Sequence, residues 1–383
     1  MTTFRPPSLM LDNAEELRAR DPEGMLEMAE NFAQQCRQGL ARGDALALDD
    51  GYLRPANIVI AGMGGSAICG DLAAAIFSQR LKVPLVVPRD YHLPAFLSRK
   101  TLVFAVSHSG DTAETISAFK EGLKARARLI AICSGGRLKE LAAESGTPWI
   151  EIPMQDSPKA YQRPRACTGF ALMPMVAIFE RLSPKVLKPQ PSARDEALQV
   201  LQQQGASLGC SIPINENQAK RLAERLAGRF PLIYGAVPWL GPVALRWRTQ
   251  LNENSKALAL SHELPELDHN EVVAWSRGAA TVIEPVCIWL RPRDEDLDPE
   301  MQARLRLSPQ VAEAPAYQEH VTASGASRLA QVLSLVHLGD MVSLYLAFLY
   351  GVDPADTGPI SRLKAMLEQA GQNEKVARKS KRS

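Results

Sequence analysis

Two neighbouring segments constrain the fold of this chain more than any others. ANIVIAGMGGSAICGD at 56–71 and TLVFAVSHSGDTAET at 101–115 each open as an apolar, β-branched run. Each run stops on glycines and small hydroxyl residues and gives way to a helix-like segment. In an open α/β sheet, ligands bind in the crevice outside the carboxyl ends of the strands, so two such ends predict a ligand site. The second loop, Ser107-His108-Ser109-Gly110-Asp111-Thr112, offers three hydroxyls and a run of backbone N–H groups at a helix N-terminus. A phosphate needs that combination of clustered donors and the positive end of a helix dipole. The loop has no lysine and so departs from the GxxxxGK[ST] pattern.

Strand and helix alternate around these segments. The stretch Asn13–Arg42 has helical spacing and closes on Gly43. Strands are expected at Ile58–Ala61, Leu85–Val87, Leu102–Val106, Leu129–Cys133 and Trp149–Ile152, with helices at Ala67–Gln79, Thr112–Arg126 and up to Ser145. That order predicts a parallel, doubly wound sheet. After an apolar helix at Gly169–Leu182, the Pro- and Ser-containing stretch Ser183–Ser192 marks a boundary. Helices at Arg194–Gln204 and Asn217–Leu226, a strand at Pro231–Tyr234, a helix from Gly241 to Leu251 and a strand at Thr281–Leu290 follow. Charged sequence occupies Arg291–Arg306, and a long apolar helix, Arg328–Tyr350, ends at Gly351 and Pro354. The second half therefore reads as a repeat of the first. The expected organisation is a helical segment at 1–48, a first lobe at 49–183, a linker and helix at 184–215, a second lobe at 216–372 and a basic, disordered tail at 373–383.

Composition narrows the function classes. The 383 residues suffice for two lobes with a sizeable core, and 46% hydrophobic with 22% charged residues is ordinary for a globular protein. The formal charge of +2 comes from the end of the chain, where the last ten residues hold five Lys/Arg and one Glu. The body lacks the basic surface that nucleic acid would require. Six cysteines without CxxC spacing argue against a zinc site and a disulfide framework. No apolar run of about 18 residues and no signal-peptide h-region are evident, so a cytoplasmic protein without membrane partners is expected.

The loop pattern resembles the sugar isomerase (SIS) domain, in which SxSGxT holds the phosphate of a phosphosugar. The match is carried by Ser107, Ser109, Gly110 and Thr112, with Gly62, Gly64, Gly65 and Ser66 on the preceding strand end. The fold it implies is α/β, with two SIS-like lobes, each a doubly wound, mostly parallel sheet flanked by helices. Gly62-Met63-Gly64-Gly65-Ser66-Ala67 also fits a GxGxxA dinucleotide fingerprint, but Asp90 lies late for the ribose-binding acid. Glycines needed only for a tight strand–helix turn are the remaining alternative.

The second half supplies acid–base groups. Glu253 stands alone among amides in QLNENSK, and His269 is central to the polar loop PELDHNEVVAW. Taken singly, a glutamate at a helix end is usually solvated and a loop histidine usually exposed. Together with DPADTGPISRLK near the C-terminus, however, these strings resemble the bifunctional phosphoglucose/phosphomannose isomerases, from Asn57 to Leu367. The resemblance implies that Glu253 is the proton-transfer base, His269 the ring-opening group, Arg165 the cation facing the enediolate, and Lys364 an assistant at the ring oxygen. It places the threonine associated with tolerance of both epimers at Thr357. His108 and Asp111 depart from the family pattern, where an aromatic and an amide are more usual, and the basic tail looks like an addition. Aldose–ketose isomerisation suits these residue types. One carboxylate can move a proton between C1 and C2 of a cis-enediol, an arginine stays charged beside the developing oxyanion, and histidine shuttles protons near neutrality. No metal or other cofactor is implied. In the family the histidine comes from the neighbouring subunit, which implies a homodimer with a shared site. The rival class is a non-catalytic SIS sensor of phosphosugars, but no helix-turn-helix-like pair is evident at the N-terminus and a sensor has no use for Glu253 and His269 together.

Overall fold

The computed structural model describes residues 10–154, 159–275, 284–311 and 317–380. In the first lobe five strands, β1 (Asn57–Ala61), β2 (Leu85–Val86), β3 (Thr101–Ser107), β4 (Arg128–Cys133) and β5 (Trp149–Glu151), form an all-parallel sheet in the order β2-β1-β3-β4-β5. Every residue of the central β3 is buried, which explains its unbroken apolar sequence: helices cover both faces of a parallel sheet. The alternation is visible in the packing. Ile58, Ile60, Leu102, Phe104, Val106, Ile130 and Ile132 enter the main core, whereas Val59, Val103, Ala105, Leu129 and Ala131 meet Phe119, Leu138 and Leu141 on the opposite face.

The second lobe repeats this plan with β6 (Phe230–Gly235), β7 (Leu260–Glu263), β8 (Pro285–Arg291) and β9 (Tyr317–Thr322), all parallel in the order β7-β6-β8-β9. Strands β7 and β9 and the helix Pro299–Val311 have no counterpart in the sequence-based expectation. Both strands are sheet edges. LSHE and YQEHVT are half exposed and so lack the apolar run that marks a central strand. The helix buries only Leu305 and Ser308 and contains Pro309, so its periodicity is faint and its charged residues read as loop. The expected strand Thr281–Leu290 begins at Pro285, and its first three residues lie outside the described ones. The helix Gly358–Ser380 runs through most of the stretch expected to be a disordered tail, and residues 381–383 are outside the described ones.

One continuous core joins the two lobes. Its axis is the helix Arg328–Tyr350, against which the helices Arg194–Leu208, Gln218–Leu226 and Gly241–Asn254 pack. The indole of Trp247 lies on Gly339, where a Cβ would stand 2.4 Å from Nε1, and donates to the Leu335 carbonyl at 2.8 Å. Contrary to the sequence-based expectation, this helix is long and apolar enough to cross a membrane, with mean hydropathy 1.8 in its most apolar window. In this fold 89% of that window is buried by protein.

Candidate active site

Strand β3 delivers its last residue, Ser107, to a tight loop that ends at Thr112, the N-cap of the helix Ala113–Lys124. Ser107 Oγ donates to Thr112 Oγ1 at 2.9 Å and accepts from the Gly110 N–H at 3.1 Å, and Ser109 Oγ accepts from the Asp111 N–H at 3.2 Å. Gly110 adopts φ +81°, and a Cβ there would lie 1.8 Å from the Gly135 carbonyl, so only glycine fits this turn. The result is a preformed cup of hydroxyls at a helix N-terminus. Gly62 packs against the Val106 carbonyl, which sets the end of β1 beside this cup, and Gly64, Gly65 and the buried Ser66 open the helix Gly65–Phe77 there.

The two departures in the loop acquire structural roles. His108 is buried and its Nε2 lies 2.7 Å from the Tyr161 carbonyl, so that nitrogen carries the proton. Burial lowers the pKa of His108 below the ordinary histidine value, favouring the neutral ring, and the bond to Tyr161 opposes that shift. His108 thus ties the cup to the segment preceding Arg165. Asp111 Oδ1 accepts from the Arg137 N–H at 2.8 Å and caps the next helix.

Arg165 lies in the short turn Pro164–Ala166, directly over Gly65, whose Cβ position is 3.4 Å from the Arg165 amide nitrogen. It is 2% exposed, and every part of its guanidinium has an acceptor. Nε donates to Asn254 Oδ1 at 2.6 Å, Nη2 to the Pro354 carbonyl, and Nη1 to Glu253 Oε2 at 3.3 Å. Burial pulls its pKa down and the Glu253 carboxylate partly restores it. Glu253 is the penultimate residue of the helix Gly241–Asn254, a position where a negative charge opposes the helix dipole. The Arg165 cation compensates for that placement. Lys256, at φ +56°, closes the same helix end by donating to the carbonyls of Glu253 at 2.8 Å and Asp353 at 2.7 Å. The Asp353–Asp356 loop is thereby docked against both catalytic candidates. Half-buried Thr357 follows Pro354 by three residues.

The structure brings Arg165 and Glu253 together beside the cup, but not His269. That residue ends the short turn Glu266–His269, just past β7 at the carboxyl end of the second sheet, and is exposed. Glu263, at the end of β7, touches Gly241, the first residue of the helix whose far end carries Glu253. Twelve helical residues span about 18 Å, so Glu253 and His269 occupy opposite ends of the second lobe. Lys364 is exposed in the second turn of the helix Gly358–Ser380. Asn254, Lys256 and the Pro354 carbonyl were missed as partners of the site. Asn254 and Lys256 were within reach, because both belong to the QLNENSK string.

Two all-parallel sheets in one chain, the first ending in a hydroxyl cup at a helix N-terminus, define a double SIS-domain protein. The SIS domain family matches residues 52–157, and the bacterial phospho-glucose isomerase C-terminal SIS domain family matches residues 215–367. The chain is 33% identical over 348 residues to a bifunctional phosphoglucose/phosphomannose isomerase of Caldicellulosiruptor bescii, covering 90% of this chain and 99% of that protein. It is 35% identical over 314 residues to the protein of the same description from Aquifex aeolicus, covering 82% and 90% of the two chains. A hypothetical protein of Thermus thermophilus shares the fold with TM-score 0.72 at 17% identity over 94% of each chain. The chain belongs to the bifunctional phosphoglucose/phosphomannose isomerase family.

Proposed function

We propose that this chain interconverts glucose 6-phosphate and mannose 6-phosphate with fructose 6-phosphate through a cis-enediol. The observation that carries the reading is the contact of Glu253 with buried Arg165 at 3.3 Å, beside the hydroxyl cup. Ser107, Ser109 and Thr112, with Gly64, Gly65 and Ser66, hold the phosphate and leave the sugar carbons to extend toward Arg165. The Glu253 carboxylate takes the C2 proton of the open-chain aldose and returns it to C1. Meanwhile a proton passes from the C2 hydroxyl to the C1 oxygen, and the ketose results. The negative charge on the enediolate oxygens faces the Arg165 guanidinium, whose position changes little as that charge appears. Thr357 borders the sugar, and Lys364 serves the ring oxygen.

Ring opening belongs to His269 of a second copy, in a homodimer with shared sites. Two features support that assembly. Glu253 and His269 lie at opposite ends of the second lobe. Large apolar side chains also stand in water on the segments that carry these residues: Leu258, five residues past Glu253, at 71% exposure, Val273, four past His269, at 70%, and Leu363, Met366 and Leu367 around Lys364. A coupled assay with each hexose 6-phosphate, with and without EDTA, tests the activity. Turnover of both sugars, unchanged by EDTA, is expected; phosphosugar binding without turnover of either would make the chain a sensor instead.

A further inference from the structure

Behind Arg165 lies a largely buried polar assembly. Arg246 is 1% exposed, yet it carries a charge into the lobe interface. Its guanidinium grips Asp340 with two bonds, Nε to Oδ1 at 3.1 Å and Nη2 to Oδ2 at 2.9 Å, and Nη2 also donates to the main-chain carbonyl of Arg165 at 2.6 Å. Asp340 is the single charged side chain of the helix Arg328–Tyr350 beyond its first residue. One turn later Ser343 Oγ donates to the Asp340 carbonyl at 2.7 Å and accepts from Asn254 Nδ2 at 2.9 Å, while its own carbonyl accepts from Ser255 Oγ at 2.6 Å. Asn254 in turn accepts from the Arg165 guanidinium. The bonds form a closed ring: Arg165 to Arg246, to Asp340, to Ser343, to Asn254, and back to Arg165.

Stability alone does not explain this ring. Desolvating two charges is costly, and well-packed apolar residues often replace a buried ion pair with no loss or with a gain in stability. What apolar residues cannot do is donate to the Arg165 carbonyl and fix the helix end that carries Glu253. We propose that the Arg246–Asp340 pair is a positioning device that presets the distance between Glu253 and Arg165. It acts on the step that needs both groups and leaves phosphate capture to the cup. The inference rests on the isomerase reading above.

Three variants of the full chain test it, with kcat and KM for fructose 6-phosphate, inorganic phosphate affinity by calorimetry, and melting temperature. In Arg246→Lys the charge stays but the fork that reaches both Asp340 and the Arg165 carbonyl is gone. Because misplacement of a catalytic group by about 1 Å can cost roughly a hundredfold, kcat should fall about 10- to 100-fold, with KM and phosphate affinity within about twofold of wild type. Arg246→Met with Asp340→Leu removes both charges, and should melt at or above the wild-type temperature while losing at least as much kcat. Ser343→Ala opens the ring at its far side and should lower kcat by a smaller factor with KM unchanged. If the double variant does not fold, Arg246→Lys decides. A folded Arg246→Lys protein with kcat within about twofold of wild type would overturn the positioning role, as would a rise in KM at constant kcat. Wild-type protein that binds phosphate but turns over neither sugar would overturn the isomerase reading itself.

Discussion

The carboxyl ends of the two sheets have the same architecture and opposite chemistry. At the end of β3, Ser107, Ser109 and Thr112 present hydroxyls around glycine and a free helix N-terminus. At the end of β6 the chain reads Gly235-Ala236-Val237-Pro238-Trp239-Leu240-Gly241-Pro242, with no hydroxyl and with two prolines that remove backbone donors. The Glu263 carboxylate lies against Gly241 at the helix start, so the place an anion would take already holds a negative charge. The second lobe contributes instead from the opposite end of its helix, where Glu253 meets Arg165 of the first lobe. On the proposed reading the repeated fold divides the work: the first lobe binds the phosphate, the second supplies the base, and Arg165 is held at the joint between them.

The largest test of that division is Glu253→Gln. General acid–base groups contribute about 10²- to 10⁴-fold, so kcat should fall about a thousandfold while KM stays within a few-fold. Retention of a tenth of the activity would move the base elsewhere. Refolding equal amounts of the Glu253→Gln and His269→Ala chains together should restore about a quarter of wild-type activity, because half the dimers are mixed and each of those holds one intact site. Zero recovery in dimers shown to be mixed by mass spectrometry would put both groups in one subunit.

The next effect belongs to the binding lobe. Ser109→Ala combined with Thr112→Ala should raise KM for fructose 6-phosphate about 10- to 100-fold and change kcat little, since binding energy lost from a non-reacting group appears in KM. An unchanged KM would dissolve the contrast between the two sheet ends.

A smaller and more selective effect is expected at Thr357, beside the loop that accepts from Arg165. Both C2 epimers can reach one carboxylate only if the bound open chain rotates about C2–C3. A bulkier amide should hinder that rotation, and pocket changes of this kind discriminate by about 1–3 kcal/mol. Thr357→Gln is therefore expected to keep most glucose 6-phosphate activity and lose about tenfold of the mannose 6-phosphate activity. Equal losses in kcat/KM for both sugars, with a lower Tm, would reduce Thr357 to a helix-start residue.

The smallest effect is expected at the silent end. Glu263→Gln removes a carboxylate from a helix N-terminus, worth about 0.3–1 kcal/mol, so the melting temperature should drop slightly. Turnover and KM should not move. A rise in KM would mean that the second sheet end takes part in substrate binding after all.

The central strands β1, β3 and β4 of the first lobe were legible because they are buried on both faces, so each is written as an apolar run that gives way to a loop. The hydroxyl cup was legible for the same reason: all its donors lie within six consecutive residues. The types of the acid–base residues were also readable, since Glu253 and His269 stand in short distinctive strings. Edge strands β7 and β9 were not, because a strand with one open side needs no apolar pattern.

The sequence by itself determined the central strands of both sheets, the place of the cup and the chemical kind of each candidate group. Only the tertiary structure decided what holds Arg165, with partners 81 and 189 residues away in Arg246 and Pro354. It also decided that His108 is a buried strut and that His269 stands apart from Glu253 within one chain. The physical reason is range: periodicity and turn chemistry act within a few residues, whereas a buried polar ring exists only after distant segments have been packed and must satisfy one another's donors and acceptors.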